Sequence, residues 1–168
     1  MTELVNRLVT LARMDEDETE LEKELFSLSN AILDTVSAFA SSIESNNKKL
    51  LLNIPDNISF YGNEGAIRQL MSFLLDNAVK YCDDGGTIGV ALFNEKHPII
   101  VVDNSYNAVN NVPLNKLFDR FYRTDKARTY GGGFGVGLSI AKGIVEKHHG
   151  TIRAINLGNN IIRFQVNL

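Results

Sequence analysis

The chain has a single cysteine, Cys82, so it can form no disulfide within itself and carries no cysteine cluster for a metal. That fits a reducing compartment. It has no apolar run approaching ~20 residues, the length a membrane-crossing helix needs. Its first ten residues, MTELVNRLVT, mix charge with leucine at once, unlike a leader sequence. The expectation is a chain with neither a membrane span nor an export signal of its own. An excess of charge of one sign is also missing. With 17 basic and 20 acidic residues the formal charge is −3, and nothing steers the chain toward nucleic acid or an anionic membrane. Internal repeats and low-complexity segments are absent. The 168 residues suffice for one domain with a real core and a short appendage.

What the chain does have is a cluster of glycines. The stretch GGGFGVGLSIAKGIVEKHHG places glycine at 131, 132, 133, 135 and 137, which opens the backbone to positive φ and to close approach by a ligand. Leu138, Ile140, Ala141, Ile144 and Val145 follow at helical spacing and predict a helix over residues 136–148. Glycines feeding a helix whose first N–H groups are unpaired make an anion site; the plainer alternative is a surface hinge before a core helix. No Gly-Lys-Ser/Thr follows, which excludes a P-loop, and Leu138 stands where the dinucleotide fingerprint wants its third glycine.

Upstream, Leu4, Leu8 and Leu11, with Val5 and Ala12, stripe a short helix that ends near the acidic run 15–18. So short a helix is marginal alone and reads as the end of something longer. Residues 21–26 read as an edge strand, and Ser27 caps a helix burying Leu28, Ala31, Ile32, Val36, Phe39, Ala40 and Ile43. Residues 49–54 and 58–61 read as a hairpin around Pro55-Asp56-Asn57. Gly62-Asn63 opens a helix with a core face of Ile67, Leu70, Met71, Leu74, Leu75, Ala78 and Tyr81. Asn77 and Lys80 come late in it, and an amide beside so apolar a run has either a ligand or water. Asp83-Asp84-Gly85-Gly86, a solvated turn, leads to a strand at 87–93 and, after His97-Pro98, to a strand at 99–102 that ends on Asp103 and Asn104. LFDRFYRTDKAR, residues 117–128, mixes Phe118, Phe121 and Tyr122 with Arg120, Arg123, Lys126 and Arg128. Residues 151–156 and 161–166 close a second hairpin. Cys82 reads as a small helix-end residue, and His148 and His149 need only helix capping or the helix dipole.

The ordered set LLDNAVKY, DNSYN, LFDRFYR and GGGFGVGLSIAKGIVEKHHG resembles the catalytic and ATP-binding domain of sensor histidine kinases. The resemblance covers residues 27–168, while residues 1–14 are similar to the tail of the second helix of the dimerisation and phosphoacceptor domain. It divides the chain into 1–18, that helix end plus a linker, and 19–168, the catalytic domain. It implies an α+β two-layer sandwich, with a mixed sheet of about five strands and three helices on one face. ATP and Mg²⁺ would lie between the helices under a lid at 108–133. By resemblance, Asn77 ligates Mg²⁺, Lys80 pairs with a phosphate and Tyr81 flanks the nucleotide. Arg123 and Arg128 reach the phosphates from the lid, which Phe118 and Phe121 anchor by burial. Gly133, Gly135 and Gly137 offer main-chain N–H groups, Val136 packs, and Leu138 opens the helix. The implied partners are the upstream phosphoacceptor domain, a response regulator and, in the full-length protein, a second copy. Nucleic acid is not among them, and the implied location is the cytoplasmic portion of a membrane-anchored sensor.

Two departures from the family pattern stand out. The family usually reads Asp-x-Gly-x-Gly after the central strand, the acid accepting a hydrogen bond from the adenine amino group. Here the segment is Asp103-Asn104-Ser105-Tyr106-Asn107-Ala108-Val109, without either glycine. Counting back from Phe118 favours Asn104 at the acid's position, residue identity favours Asp103, and both offer an oxygen acceptor. The second is Phe73, four residues before Asn77, where related gyrase- and Hsp90-type ATPases carry a glutamate that activates water. Phenylalanine moves no proton, and a histidine kinase needs none from this domain because the attacking imidazole is itself the nucleophile. The implied function is transfer of the ATP γ-phosphoryl group to a histidine on an upstream helical domain. The alternatives are a nucleotide-blind interaction scaffold of the same fold, suggested by Tyr106 and Ala108 in place of glycines, and an anti-sigma serine kinase.

Overall fold

A computed structural model describes residues 2–15, 21–123 and 134–168. Helix α1 (Thr2–Asp15) precedes a short strand β1 (Glu24–Ser27) and helix α2 (Leu28–Ser45). Ser27 caps α2 as its sequence position predicts, accepting the Asn30 N–H at 3.2 Å. Strands β2 (Lys49–Asn53) and β3 (Ser59–Gly62) lead to helix α3 (Glu64–Tyr81), capped by Asn63, whose Oδ1 accepts the Ala66 N–H at 2.8 Å. Then come β4 (Thr87–Asn94), β5 (Pro98–Ser105), two single 3₁₀ turns (Val109–Asn111 and Leu114–Lys116), helix α4 (Gly137–Lys147), β6 (Thr151–Asn156) and β7 (Ile161–Asn167).

Five strands form one mixed sheet in the order β2-β4-β5-β7-β6, parallel only between β2 and β4. Period-2 alternation turns Ile88, Val90, Leu92, Ile100, Val102, Ile162, Phe164 and Val166 to one face, where they are at most 4% exposed. Helices α2, α3 and α4 cover that face, α3 lying between the other two. The predicted two-layer α+β sandwich is therefore the observed one. In α2 the predicted core residue Ala40 faces solvent, and Thr35 is buried instead with its hydroxyl donating to the Ala31 carbonyl at 2.8 Å.

The predicted hairpin of residues 49–54 with 58–61 does not form. β2 pairs with β4 across the α3 connection, and β3 pairs antiparallel with β1 in a separate two-stranded ribbon. The first turn of α2 decides this. Leu28 and Ser29 donate their N–H groups to the Ile58 carbonyl at 2.8 and 3.2 Å, and the Ser29 hydroxyl joins the Pro55 carbonyl to the Ile58 N–H. Strand β3 is thereby fastened to α2, with Ile58 buried beneath it. The second predicted hairpin, β6 with β7, is present. Asp83 is more than a solvated turn residue, since its carboxylate accepts the Asn107 N–H at 2.6 Å and ties the end of α3 to the segment after β5. Cys82 is buried at the helix end, which pushes its thiol pKa up and keeps it in the unreactive form.

Leu11 is the residue of the α1 stripe that reaches the core; Val5, Leu8 and Val9 remain exposed. Among the described residues no helix is long and apolar enough to cross a membrane.

His148 does more than complement a helix dipole. It is 7% exposed, its Nδ1 lies 2.8 Å from the Ile144 carbonyl, and its Nε2 accepts the Asn63 N–H at 3.0 Å. That pattern demands the neutral Nδ1–H tautomer, and it joins the end of α4 to the start of α3. Burial, aided by nearby Lys23 and His149, lowers the imidazole pKa against the raising effect of the Ile144 carbonyl. A depressed folded-state pKa makes the unfolded chain bind the extra proton, so the stability from neutral His148 is full above the unfolded value, about 6.5, and is lost as pH falls below it. Urea unfolding of the wild type should therefore show a falling midpoint between pH 7.5 and 5.5. His148→Gln should start lower and show a shallower fall; parallel slopes would mean that His148 is not the titrating group.

Candidate functional site

Helix α3 carries two faces of different chemistry. Its apolar seam is spent on the core. The adjoining edge, Phe73, Asp76, Asn77, Lys80 and Tyr81, recurs at helical spacing and lines a cleft. The cleft spans about 840 Å³ counting its open mouth. Asn104, Ile162 and Phe164 of the sheet form its floor, the start of α4 one wall, and the segment after β5 the other.

One end is cationic. Arg7 and Lys80 meet a single carboxylate, Asp76, among the described lining residues, and Arg123, a third lining cation, lies near Tyr81. Asp76 Oδ2 takes Lys80 Nζ at 2.7 Å and Arg7 Nη2 at 3.7 Å, so one negative charge is shared between two positive ones. Helix α4 begins beside them, and its N-cap residue Val136 supplies no side-chain hydrogen bond to the first turn.

The other end is aromatic and polar. The rings of Tyr81 and Tyr106 meet edge to face at 6.5 Å. Burial raises the Tyr81 phenol pKa, with Arg123 pulling it down. Asn104 is 1% exposed, and its Nδ2 donates to the Ser105 carbonyl at 3.1 Å. Its Oδ1 is buried with no hydrogen-bond partner among the described residues. Such an orphan costs about 1–3 kcal/mol unless something satisfies it.

The two candidate acceptors are separated by the pleat of β5. Asp103 points to the opposite face of the sheet, where its register partner Arg163 donates to it through Nε at 2.8 Å and Nη2 at 2.7 Å, raising the arginine's pKa. Asp103 is thus outside the cleft and Asn104 within it. Of the other predicted residues, Asn77, Lys80, Tyr81, Arg123, Gly135, Gly137 and Leu138 converge on the cleft. Val136 is fully buried packing, and α4 opens at Gly137 instead of Leu138. Arg128 and Gly133 lie outside the described residues. Arg120 is exposed and does not line the cleft.

Phe118 anchors the segment after β5, its ring edge-on to Phe164 at 6.2 Å. Phe121 does not; it is 61% exposed at a φ of 61°, and its main-chain N–H is held by the Gly135 carbonyl at 2.8 Å. Gly135 must be glycine for this crossing. Its φ is +72°, and a Cβ there would stand 2.9 Å from both the Phe121 carbonyl carbon and the Tyr122 carbonyl oxygen. The motif glycine therefore admits a neighbouring stretch of the chain.

Sequence patterning misses Arg7, Tyr106, Ile162 and Phe164. Tyr106 is read only as standing in place of a glycine, and Ile162 and Phe164 as residues of a hairpin strand, because nothing local distinguishes a cleft floor from a core. Arg7 has no local signal, since it lies more than sixty positions from the helix edge it meets.

The family model described as "Histidine kinase-, DNA gyrase B-, and HSP90-like ATPase" matches residues 62–168. The chain is 33% identical over 156 residues to the signal transduction histidine-protein kinase BaeS of Escherichia coli, covering 92% of this chain and 33% of that protein. It is 30% identical over 166 residues to the heme sensor protein HssS of Staphylococcus aureus, covering 98% of this chain and 35% of that one. The chain thus spans about a third of the length of these relatives. The structure superposes on the Acinetobacter baumannii histidine kinase AdeS with a TM-score of 0.81 at 21% identity, covering 99% of this chain and 77% of that one. It superposes on full-length ShkA, solved with AMPPNP, with a TM-score of 0.83 at 18% identity over 98% of this chain and 35% of ShkA. At those identities the likeness is one of fold.

Gly135→Ala and Gly158→Ala form a matched pair, since Gly158 has a φ of +78° but nothing within 4 Å of its would-be Cβ. Gly158→Ala should cost about 1–2 kcal/mol, the left-handed backbone penalty alone. Gly135→Ala should cost distinctly more by chemical denaturation. Equal losses would show that the 121–123 crossing is not packed as described.

Proposed function

Because the chain belongs to the histidine kinase-, DNA gyrase B- and HSP90-like ATPase family, we propose that it is the ATP-binding catalytic domain of a sensor histidine kinase. It transfers the γ-phosphoryl group to a histidine on an upstream helical domain, and that domain, homodimeric in the full-length protein, then passes the group to a response regulator. The observation that carries this reading is the buried Oδ1 of Asn104, without a partner among the described residues, at one end of a cleft whose other end gathers cations at a helix N-terminus. A base with an exocyclic amino group would satisfy the first, and phosphates the second.

The chain's own residues would act by positioning and charge neutralisation. Lys80 and Arg123 neutralise the phosphates, and the α4 amides from Gly137 onward hold their oxygens. Arg128 and Gly133 would join them. Asn77 would hold Mg²⁺ through its side-chain oxygen. No group of three or more His, Cys, Asp or Glu side chains able to hold a metal occurs among the described residues, which suits an ion brought in by the nucleotide and not a resident one. Bound there, Mg²⁺ supplies further neutralisation of the phosphate oxygens. In the transfer, an imidazole nitrogen of the acceptor forms the N–P bond, the bond from Pγ to the bridging oxygen breaks with its electron pair leaving on ADP, and the proton departs from the other ring nitrogen. Phe73 beside Asn77 is consistent with this division of labour, because it activates no water. The domain would work as the cytoplasmic portion of a membrane-anchored sensor.

Calorimetric titration should show ATP binding that strengthens with Mg²⁺, a dependence Asn77→Ala removes. Wild-type protein should prefer ATP to ITP, which lacks the amino group. Asn104→Leu should weaken ATP by about 10-fold, the value of one hydrogen bond, and bind the two alike. A cleft that takes no nucleotide at millimolar concentration would refute the reading, and phosphohistidine formed after joining an upstream phosphoacceptor domain would establish the transfer.

A further inference from the structure

Arg7 belongs to α1, outside the α/β sandwich, yet its side chain is only 15% exposed and lines the cleft. Its guanidinium carbon sits 5.5 Å from the centre of the Phe73 ring. Its Nη2 is 3.7 Å from Asp76 Oδ2, whose charge Lys80 already engages at 2.7 Å. Its Nη1 lies 3.8 Å from the point where a Cβ on residue 137 would stand, which is van der Waals distance from the first position of α4. The contacts place a guanidinium directly at the uncapped start of α4, on the Phe73 side of Asn77. A planar fork of donors beside free helix amides suits a phosphate better than either suits it alone.

We infer that Arg7 is a phosphate-binding residue of the nucleotide cleft, contributed by α1, so that a terminal phosphate and the seating of α1 on α4 stabilise each other. The inference rests on the proposed nucleotide site. Position 73 is one helical turn before Asn77, toward the end of the cleft away from Tyr81, Tyr106 and Asn104. Arg7 therefore serves the far end of the phosphate chain, and its contribution separates triphosphate from diphosphate. Coupling of this kind is reciprocal: whatever lifts α1 withdraws Arg7 and loosens the triphosphate, and a bound triphosphate holds α1 down. Phe73 acquires a role by the same geometry, as the surface on which the guanidinium rests.

The test compares a non-hydrolysable ATP analogue with ADP, both with Mg²⁺, by calorimetry on wild type, Arg7→Ala, Arg7→Lys and Leu11→Ala. Arg7→Ala should weaken the triphosphate about 5- to 10-fold and ADP less than about 2-fold, with Arg7→Lys between, as a coupling at the low end of the usual range. Leu11→Ala removes the α1 side chain that reaches the core without touching the cleft, and should reproduce the selective loss. Hydrogen exchange of the α1 amides should slow more with the triphosphate than with ADP. Equal weakening of both nucleotides, or no change in either, would overturn the inference, as would a Leu11→Ala protein with unaltered selectivity. If wild-type protein binds neither nucleotide, the nucleotide site itself fails, and Asn77→Ala, which should weaken both ligands together, separates that failure from a failure of Arg7 alone.

Discussion

The structure depends on helix α3 being held on three sides. Ile67, Leu70, Met71, Leu74, Leu75 and Ala78 are almost wholly buried between α2, α4 and the sheet, so the helix can neither roll nor slide without opening the core. Burying a single leucine of this kind is worth about 1.5–3 kcal/mol, and six such positions lock the rotation of the helix. The edge left over then faces the cleft. The core fixes where Asp76, Asn77 and Lys80 point, and the 2.7 Å pair of Asp76 with Lys80 joins two of them.

Electrostatics divides that cleft. Cations gather where α3 passes the start of α4, and the only described carboxylate among them is shared between Lys80 and Arg7. At the other end are two tyrosines, an amide and the aromatic floor, with Arg123 near Tyr81. A ligand with a flat hydrogen-bonding head and an anionic tail matches both ends in one orientation. Tyr106 takes the position where the related family has a glycine, and it borders the cleft without filling it.

Much of this is legible in the sequence because it is local. The 3.6-residue spacing in residues 67–78 and 138–145 yields α3 and α4, Ser27 and Asn63 mark helix starts by their own side-chain oxygens, and short runs bounded by turn residues yield β4, β5 and β7. Asn77 and Lys80 stand out as polar residues against an apolar run. The hairpin of β2 with β3 is misread for an equally physical reason. Turn residues between two short strands specify a reversal, but the hydroxyl of Ser29 and the carbonyl of Ile58 draw the second strand elsewhere, and no local pattern encodes a contact 29 residues away.

By itself the chain determined its elements, their order and the chemistry of its motifs, since each follows from neighbours within a few residues. Tertiary structure alone put Asn104 at the cleft and Asp103 on the opposite face, because a one-residue step along a strand reverses the face of the sheet and only the partner strand reveals which face is covered. It likewise brought Arg7 to the cleft, joined His148 to Asn63, and set the crossing of residues 121–123 over Gly135. Those are meetings between segments distant in the chain, governed by how helices pack on a sheet.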